Sequence, residues 1–600
     1  MRILRTSALI ALIMVAASAS AVFAESPSDT ANIKAMERNI APEVIVPGAR
    51  TSPGSLAARM AFYKTPGVSI AFVHAGQIAW ARGYGVSDPA QTPVTVDTLF
   101  QAASISKPVT ALAVLRLMQA GKLDLDVDVN RYLKSWKVPP TDDGKAITLR
   151  ELLSHTAGLT LHGFRGYAQG QPIPTLPQVL DGEKPANTPA IARFAPPGTV
   201  WRYSGGGYVI IQQLLQDVTG QAFPDLMQSL VLRPIGMTHS TFSQPLPIAL
   251  KSAAATPYGS DGRPLPDGAL VYPEMAPAGL WTTPSDLARY VIAVQDALAG
   301  KSSRIISQAT AREYLKEVLG GWGLGLGVGG TSEHRWFGHS GTNDGFQSQL
   351  FAYDSGDGVV VMSNSDGGDG VMQDMMRTVA EDYHWSEFAP RTRTPLAAAP
   401  KTTDSYVGAY EITRFNSLVV SRKGDMLVLK EQQGGPPQHF LPESDSVWFS
   451  KDSGQRVSFD VTPDGQVADI ALPVGGRRQK LKRLSDAEFS ARTAELAERV
   501  KAQAPDARAE GALKELIGSL RAGRPDYDRL GERQREVTRD QLPDLQGDFR
   551  SLGDLQALTF KGVGPGGGDI YEAKFANGNR TFRVALDPQG RIDALDILAG

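Results

Sequence analysis

The chain has 600 residues, 42% hydrophobic and 21% charged, and its 61 Lys and Arg nearly balance its 63 Asp and Glu. That is ordinary globular usage, which excludes global disorder and a polytopic membrane protein; no basic run points to nucleic acid and no acidic block to a solvating tail. Cysteine is absent, which excludes disulfides, thiolate metal sites, a cysteine nucleophile and a lipid-modified cysteine anchor.

Length alone gives a prior of about four domains. Arg2 and Arg5, the apolar stretch Ala8 to Ala17 and the small residue Ala24 read as a cleavable signal peptide over 1–24. The expectation is an exported protein, periplasmic or secreted, without stable membrane insertion. Residues 25–50 read as a polar, proline-containing lead-in. Val68–Val73 and Ile78–Tyr84 flank a short turn and predict a hairpin. From Ser104 to Ala120 the apolar spacing turns helical, with Gly121 as the stop. Thr148-Leu149-Arg150-Glu151 is a capping box that opens a short helix. Tyr208–Val218 and Pro284–Leu298 predict helices, Phe346–Tyr353 and Gly358–Asn364 closing strands, and the region near Val371–Tyr383 a last helix. Strands at both ends with helices between them predict an α+β domain over 46–388, its sheet built from both ends of the segment.

Glu387–Lys401, with three prolines and an alanine run, reads as a linker. Residues 402–486 hold short strands separated by turns such as Lys423-Gly424-Asp425, which predicts a small β-barrel or sandwich. Residues 487–600 read as a third, α+β domain. Charged helices come first, then four strands, with Asn577-Gly578 as a hairpin signal and Asp587-Pro588-Gln589-Gly590 as a type I turn. The alternation of Tyr571, Ala573, Phe575 and Phe582, Val584, Leu586 reads as a core face, in a module loosely of the cystatin or NTF2-like type.

The candidate chemistry lies in the first domain. Ser104 and Lys107 are three apart, so a helix puts them on one face. A serine hydroxyl needs a neighbouring base, and a lysine can serve if burial lowers its pKa. Alone the motif is weak, because an N-cap serine followed by a solvated lysine is the plainer reading. Two further clusters change the balance. Tyr203 stands in the Gly-rich stretch Arg202-Tyr203-Ser204-Gly205-Gly206-Gly207, where a phenol could relay protons with Lys107. Gly338-His339-Ser340-Gly341-Thr342 follows a strand-like segment, and its small residues would let a substrate lie along a strand edge with a backbone N–H aimed at its carbonyl oxygen.

In order and spacing these clusters resemble the three motifs of the penicillin-recognising serine hydrolases: class C β-lactamases, D,D-peptidases, and β-lactamase-like esterases and aminopeptidases. The resemblance covers about residues 50–385. Leu152–Leu159, Arg233–Met237 and Ala278–Leu287 support it. It implies a β-lactamase/transpeptidase-like fold, an antiparallel sheet flanked by helices with a helical subdomain. It implies Ser104 as the acylated nucleophile, Lys107 and Tyr203 as shared base and acid, and the backbone N–H groups of Ser104 and Thr342 as the oxyanion hole. His339, Ser340, Gly341 and Gly205 complete the expected substrate-binding set. No cofactor or metal is implied, and the partner is a small-molecule or peptide substrate. Two positions depart from the pattern: Gly205 stands where the second motif usually has Asn, and His339 where β-lactamases usually have Lys. Both count against an efficient β-lactamase. The expectation is therefore an exported hydrolase of esters or peptide amides. The rival expectation is a hydrolase-like scaffold without turnover, whose C-terminal modules carry the function. The sequence leaves the oligomeric state open.

Other signals weaken on inspection. Ser69 falls inside a strand pattern rather than on a strand-to-helix elbow. Asp124–Asn130 lacks the Gly and Glu of a calcium loop. Gly325-x-Gly327-x-x-Gly330 and Gly562-x-Gly564-x-x-Gly567 open no helix and read as turns. His155 reads as a structural residue under the site rather than a metal ligand.

Overall fold

A computed structural model describes residues 26–48, 54–140, 144–462, 466–474 and 477–599. The signal-peptide reading of 1–24 lies outside the described residues. Among those described, no helix is long and apolar enough to cross a membrane.

The first unit is built on a six-stranded antiparallel sheet. Its order is Gln77–Gly85, Gly67–His74, Gly358–Ser363, Phe346–Tyr353, Arg335–Asn343, Gly327–Gly330. Early and late strands are neighbours, as the pattern at the two ends of this segment predicts. The central strands are apolar at successive positions because both faces are covered. Ile70, Phe72, Val359 and Val361 face one core, while Ala71, Val73, Val360 and Met362 face the other. The period of two in side-chain direction thus sorts one continuous apolar run into two layers. On one face pack the helices Ser106–Gln119, Gly205–Thr219 and Pro284–Leu298. On the other pack Leu56–Tyr63 and Gly368–Asp382.

The lead-in reading of 25–50 is corrected. Pro27–Arg38 is a helix with a full Ser26–Asp29 capping box and Pro27 at its first turn. Its Ile33 and Met36 are buried in the second core. Three residues apart, they form a narrow apolar stripe on an otherwise polar helix, and composition hides such a stripe. The proline-rich linker also carries order, since Arg391–Thr392 pairs in parallel with Val44–Ile45.

After it comes a closed antiparallel barrel of eight strands between Gly408 and Leu484. An eight-stranded barrel is narrow enough for side chains to fill its interior. Trp448, Phe440, Phe459, Val457, Ile470 and Leu481 fill it, with Tyr406 stacked on Phe459 at 4.2 Å between centroids. The third unit packs helices Ala509–Ala522 and Glu532–Leu552 on the four-stranded sheet Leu555–Ala599. Tyr571, Ala573, Phe575, Phe582, Val584 and Leu586 are all buried there, so the alternation is a core face.

Candidate active site

Ser104 lies on a single 3-10 turn, Ala103–Ile105, that runs straight into helix Ser106–Gln119. It therefore precedes the α-helix rather than sitting within it. The backbone there is strained: Ala103 has φ +48°, a left-handed conformation that costs an L-residue about 1–2 kcal/mol. Strain of this kind persists only where surrounding structure enforces it. Three bonds do so. Ser106 Oγ donates to Ala103 O at 2.5 Å and accepts the Leu280 N–H at 3.0 Å. Ser348 Oγ donates to Ala102 O at 2.9 Å. Neither serine belongs to the predicted set, because only tertiary contact gives them a role.

Lys107 is 2% exposed. Its Nζ lies 3.1 Å from Ser104 Oγ and 3.0 Å from Pro277 O. Burial lowers the ammonium to about 7, because a charge in an apolar interior loses its hydration. The aromatic ring of Tyr203 lies 4.8 Å from the same Nζ. Burial pushes the Tyr203 phenol well above its ordinary value, with Ser104 pulling the other way. The phenol therefore keeps its proton at neutral pH.

Tyr203 is held from below by His155. The Arg202 N–H donates to His155 O at 2.9 Å and the Ser204 N–H to His155 Nδ1 at 3.1 Å. The two rings stand 4.3 Å apart. One residue thus grips both chain neighbours of Tyr203, and the structural reading of His155 fits this placement. Among the described residues, no three His, Cys, Asp or Glu side chains group as a metal site would.

Helix Gly205–Thr219 starts directly after Tyr203, with Ser204 as its N-cap. A Cβ added at Gly205 would meet the Phe164 ring at 2.7 Å and His162 O at 3.0 Å. The space that a side chain needs at this position is filled by the 162–164 turn, so Gly205 is a packing requirement as well as a missing amide. His162, exposed at the rim, places its ring 4.8 Å from Tyr203.

The third motif lies on strand Arg335–Asn343. Its outer neighbour Gly327–Gly330 pairs with it only as far as Gly338. From His339 to Asn343 that edge is unpaired by the sheet, as a substrate-binding edge requires. A Cβ at Gly341 would sit 2.2 Å from Ala102 O, 2.4 Å from Ser348 Oγ and 3.0 Å from Ser104 N. Glycine here lets the strand backbone close on the Ser104 turn. Thr342 turns its hydroxyl to Gln347 Oε1 at 2.8 Å, and Ser340 has an exposed side chain.

His339 is buried, and its Nδ1 lies 2.5 Å from Ser340 O. A carbonyl only accepts, so Nδ1 carries the proton and Nε2 is an unprotonated acceptor. Burial first and the nearby Lys107 second push this imidazole down to about 3. Trp322 lies between the histidines, 5.4 Å from His339 and 5.5 Å from His155, and Trp201 extends the aromatic wall outward at 5.4 Å from Trp322. Sequence reasoning assigned neither tryptophan a role: Trp201 lies in the cluster around Tyr203 without a chemical signal of its own, and Trp322 stands in no recognisable motif.

A strained turn bearing a serine, a buried lysine beside it and a tyrosine over that lysine, on this sheet, define a serine hydrolase. The β-lactamase family model matches residues 55–383, more than half of the chain, and the chain belongs to that family. A second model, for a domain of unknown function (DUF3471), matches residues 392–496. Penicillin-binding protein 4 of Amycolatopsis lactamdurans is 28% identical over 303 residues, 48% of this chain and 75% of that protein. Esterase EstB of Burkholderia gladioli is 29% identical over 315 residues, 44% of this chain and 79% of that protein. Among solved structures, the octameric penicillin-binding protein homologue from Pyrococcus abyssi aligns with a TM-score of 0.48 at 21% identity, covering 71% of this chain and 98% of that one.

Two outcomes are expected. The rate of Ser104 acylation should rise with pH to a plateau, with its midpoint near 7, because only the deprotonated Lys107 can take a proton. Lys107→Arg should lower that rate by roughly 10²–10⁴-fold at every accessible pH, since guanidinium does not deprotonate. A flat profile from pH 5 to 9, measured by stopped-flow labelling, would contradict this. Second, Gly205→Asn should destabilise the unit by about 1–3 kcal/mol through overpacking. Most of that cost should vanish in a Phe164→Ala background. Equal costs in both backgrounds, read from urea midpoints, would show that Phe164 is not the obstacle.

Proposed function

We propose that this protein hydrolyses esters or peptide amides through an acyl-enzyme on Ser104, and that it is not an efficient β-lactamase. One observation carries the reading: an amine that burial brings to about 7 stands 3.1 Å from the Ser104 hydroxyl. Lys107 takes the hydroxyl proton as Oγ attacks the substrate carbonyl. The carbonyl oxygen becomes an oxyanion, facing the backbone N–H groups of Ser104 and Thr342. Each such donor typically contributes roughly 2.7–4 kcal/mol to the transition state. Tyr203, which keeps its proton, delivers it to the leaving alcohol or amine as the carbon–heteroatom bond breaks and takes back the proton held by Lys107, so that both groups return to their starting states. Water then attacks the acyl-serine, gives up its proton along the same path, and releases the acid and the serine.

The preference against β-lactams rests on charge. A fixed cation is the natural partner of a substrate carboxylate, and the third motif here opens on the neutral His339. Gly205 supplies no amide for an acylamino group. The exposed Trp201 and the Trp322 ring form an apolar wall instead. Small esters and uncharged ends of D-amino-acid peptides suit such a site better than a penicillin carboxylate. The names of the relatives, a penicillin-binding protein and an esterase, are compatible with either kind of acyl donor. Arg2, Arg5 and the apolar run after them support action outside the cytoplasm.

The test is covalent. Purified protein treated with a fluorophosphonate should carry one adduct on Ser104 in peptide mass spectrometry, and Ser104→Ala should carry none. No adduct on Ser104, or equal labelling of the alanine variant, would overturn the reading in favour of a scaffold without turnover.

A further inference from the structure

Helix Glu532–Leu552 belongs to the C-terminal unit, yet one of its carboxylates reaches the rim of the Ser104 site. Asp544 Oδ1 accepts the Leu161 N–H at 3.1 Å, and Oδ2 pairs with Arg202 Nη2. Arg202 Nη1 also donates to Asp540 O at 3.1 Å, and its guanidinium lies 4.9 Å from the Phe194 ring centroid. Both partners of Asp544 are immediate to the chemistry. Arg202 is the residue before Tyr203. Leu161 opens the turn that carries His162 and Phe164, the residues that face Tyr203 and fill the space over Gly205.

That turn is strained. Leu161 has φ +72°, which a branched residue adopts only when held there. Its carbonyl accepts the Gly206 N–H and the His162 carbonyl the Gly205 N–H, each at 3.1 Å. The amide of Leu161 finds its partner across the unit boundary, in Asp544. One carboxylate therefore ties the 161–164 turn to the residue ahead of Tyr203.

We propose that Asp544 is a positioning residue for the hydrolase: the C-terminal unit reaches in with one carboxylate, fixes Leu161 and Arg202, and through them sets the place of Tyr203. This rests on the acyl-enzyme reading above. It gives the C-terminal unit a part in acyl transfer without any contact with substrate. The plain alternative is a docking contact between units with no bearing on the site. Asp548, one turn further along the same helix, separates the two. It pairs with Arg580 at 2.6 Å inside its own unit.

The experiment uses the full-length chain and the variants Asp544→Ala, Asp544→Asn and Asp548→Ala. Three quantities are measured: hydrogen exchange of peptides covering 159–166, the second-order rate of fluorophosphonate labelling at Ser104, and the melting temperature. Asp544→Ala should speed exchange in 159–166 and slow labelling by about ten- to a hundredfold, the scale of a small misplacement of a reacting group. Asp544→Asn, which keeps an acceptor for the Leu161 N–H and gives up the charge toward Arg202, should fall between it and wild type. Asp548→Ala should leave both site readouts at wild-type values even if it lowers the melting temperature. Unchanged exchange in Asp544→Ala overturns the proposal whatever the labelling shows. Faster exchange with unchanged labelling overturns it too, as does an equal loss of labelling in Asp544→Ala and Asp548→Ala. A wild-type protein that takes no label overturns the acyl-enzyme reading itself, while the exchange data still decide whether Asp544 anchors the turn.

Discussion

An amine is buried in the core of the first unit with no acid beside it among the described residues, and the rest of the site is arranged around that fact. Lys107 has two close partners, a hydroxyl and a backbone carbonyl. Neither offers the negative charge that would make a buried ammonium stable, so desolvation decides its protonation. The result is a lysine with a lone pair near neutral pH. The same dry surroundings keep the Tyr203 phenol protonated and the His339 imidazole neutral. One physical condition, exclusion of water, thus sorts three titratable groups into a base, a proton donor and an uncharged acceptor.

The fold creates that condition by covering both faces of a single sheet. The helix that carries Lys107 lies in the larger core, against the short helix Met275–Ala278, whose Pro277 carbonyl reaches Nζ. The sheet contributes an edge rather than a face to the chemistry. Because Gly327–Gly330 stops pairing at Gly338, the strand beyond it is open, and Gly341 lets it close on the Ser104 turn. Strain at Ala103 is balanced by bonds from Ser106 and Ser348, which lie on separate elements. The place of Ser104 is therefore a property of the assembled unit rather than of the Ser-x-x-Lys motif.

Much of this was legible in the chain, and the rest was not, for identifiable reasons. Phe346–Tyr353 and Pro284–Leu298 match the structure residue for residue, since alternation running into an apolar end and a Thr-Pro start are strong local signals. Ser104, Lys107, Tyr203 and His339, picked from three separate stretches of the chain, lie close together in the structure. Helix Pro27–Arg38 escaped because two buried side chains do not outweigh a polar composition, although its Ser26–Asp29 capping box was in plain view. The reason for Gly205 escaped too: the missing asparagine is visible, but the Phe164 ring that fills its space is a matter of packing. Asp544 lies 342 residues from Arg202, and no periodicity connects them.

The protonation of Lys107 tests the account most directly. Lysine labelled with 13C at the ε position, assigned with a Lys107→Arg variant, can be titrated by NMR in the folded, unreacted protein. The account predicts a midpoint near 7 for this one residue. A midpoint above about 10, where solvated lysines titrate, would mean that the amine is charged throughout the neutral range and cannot be the base that activates Ser104.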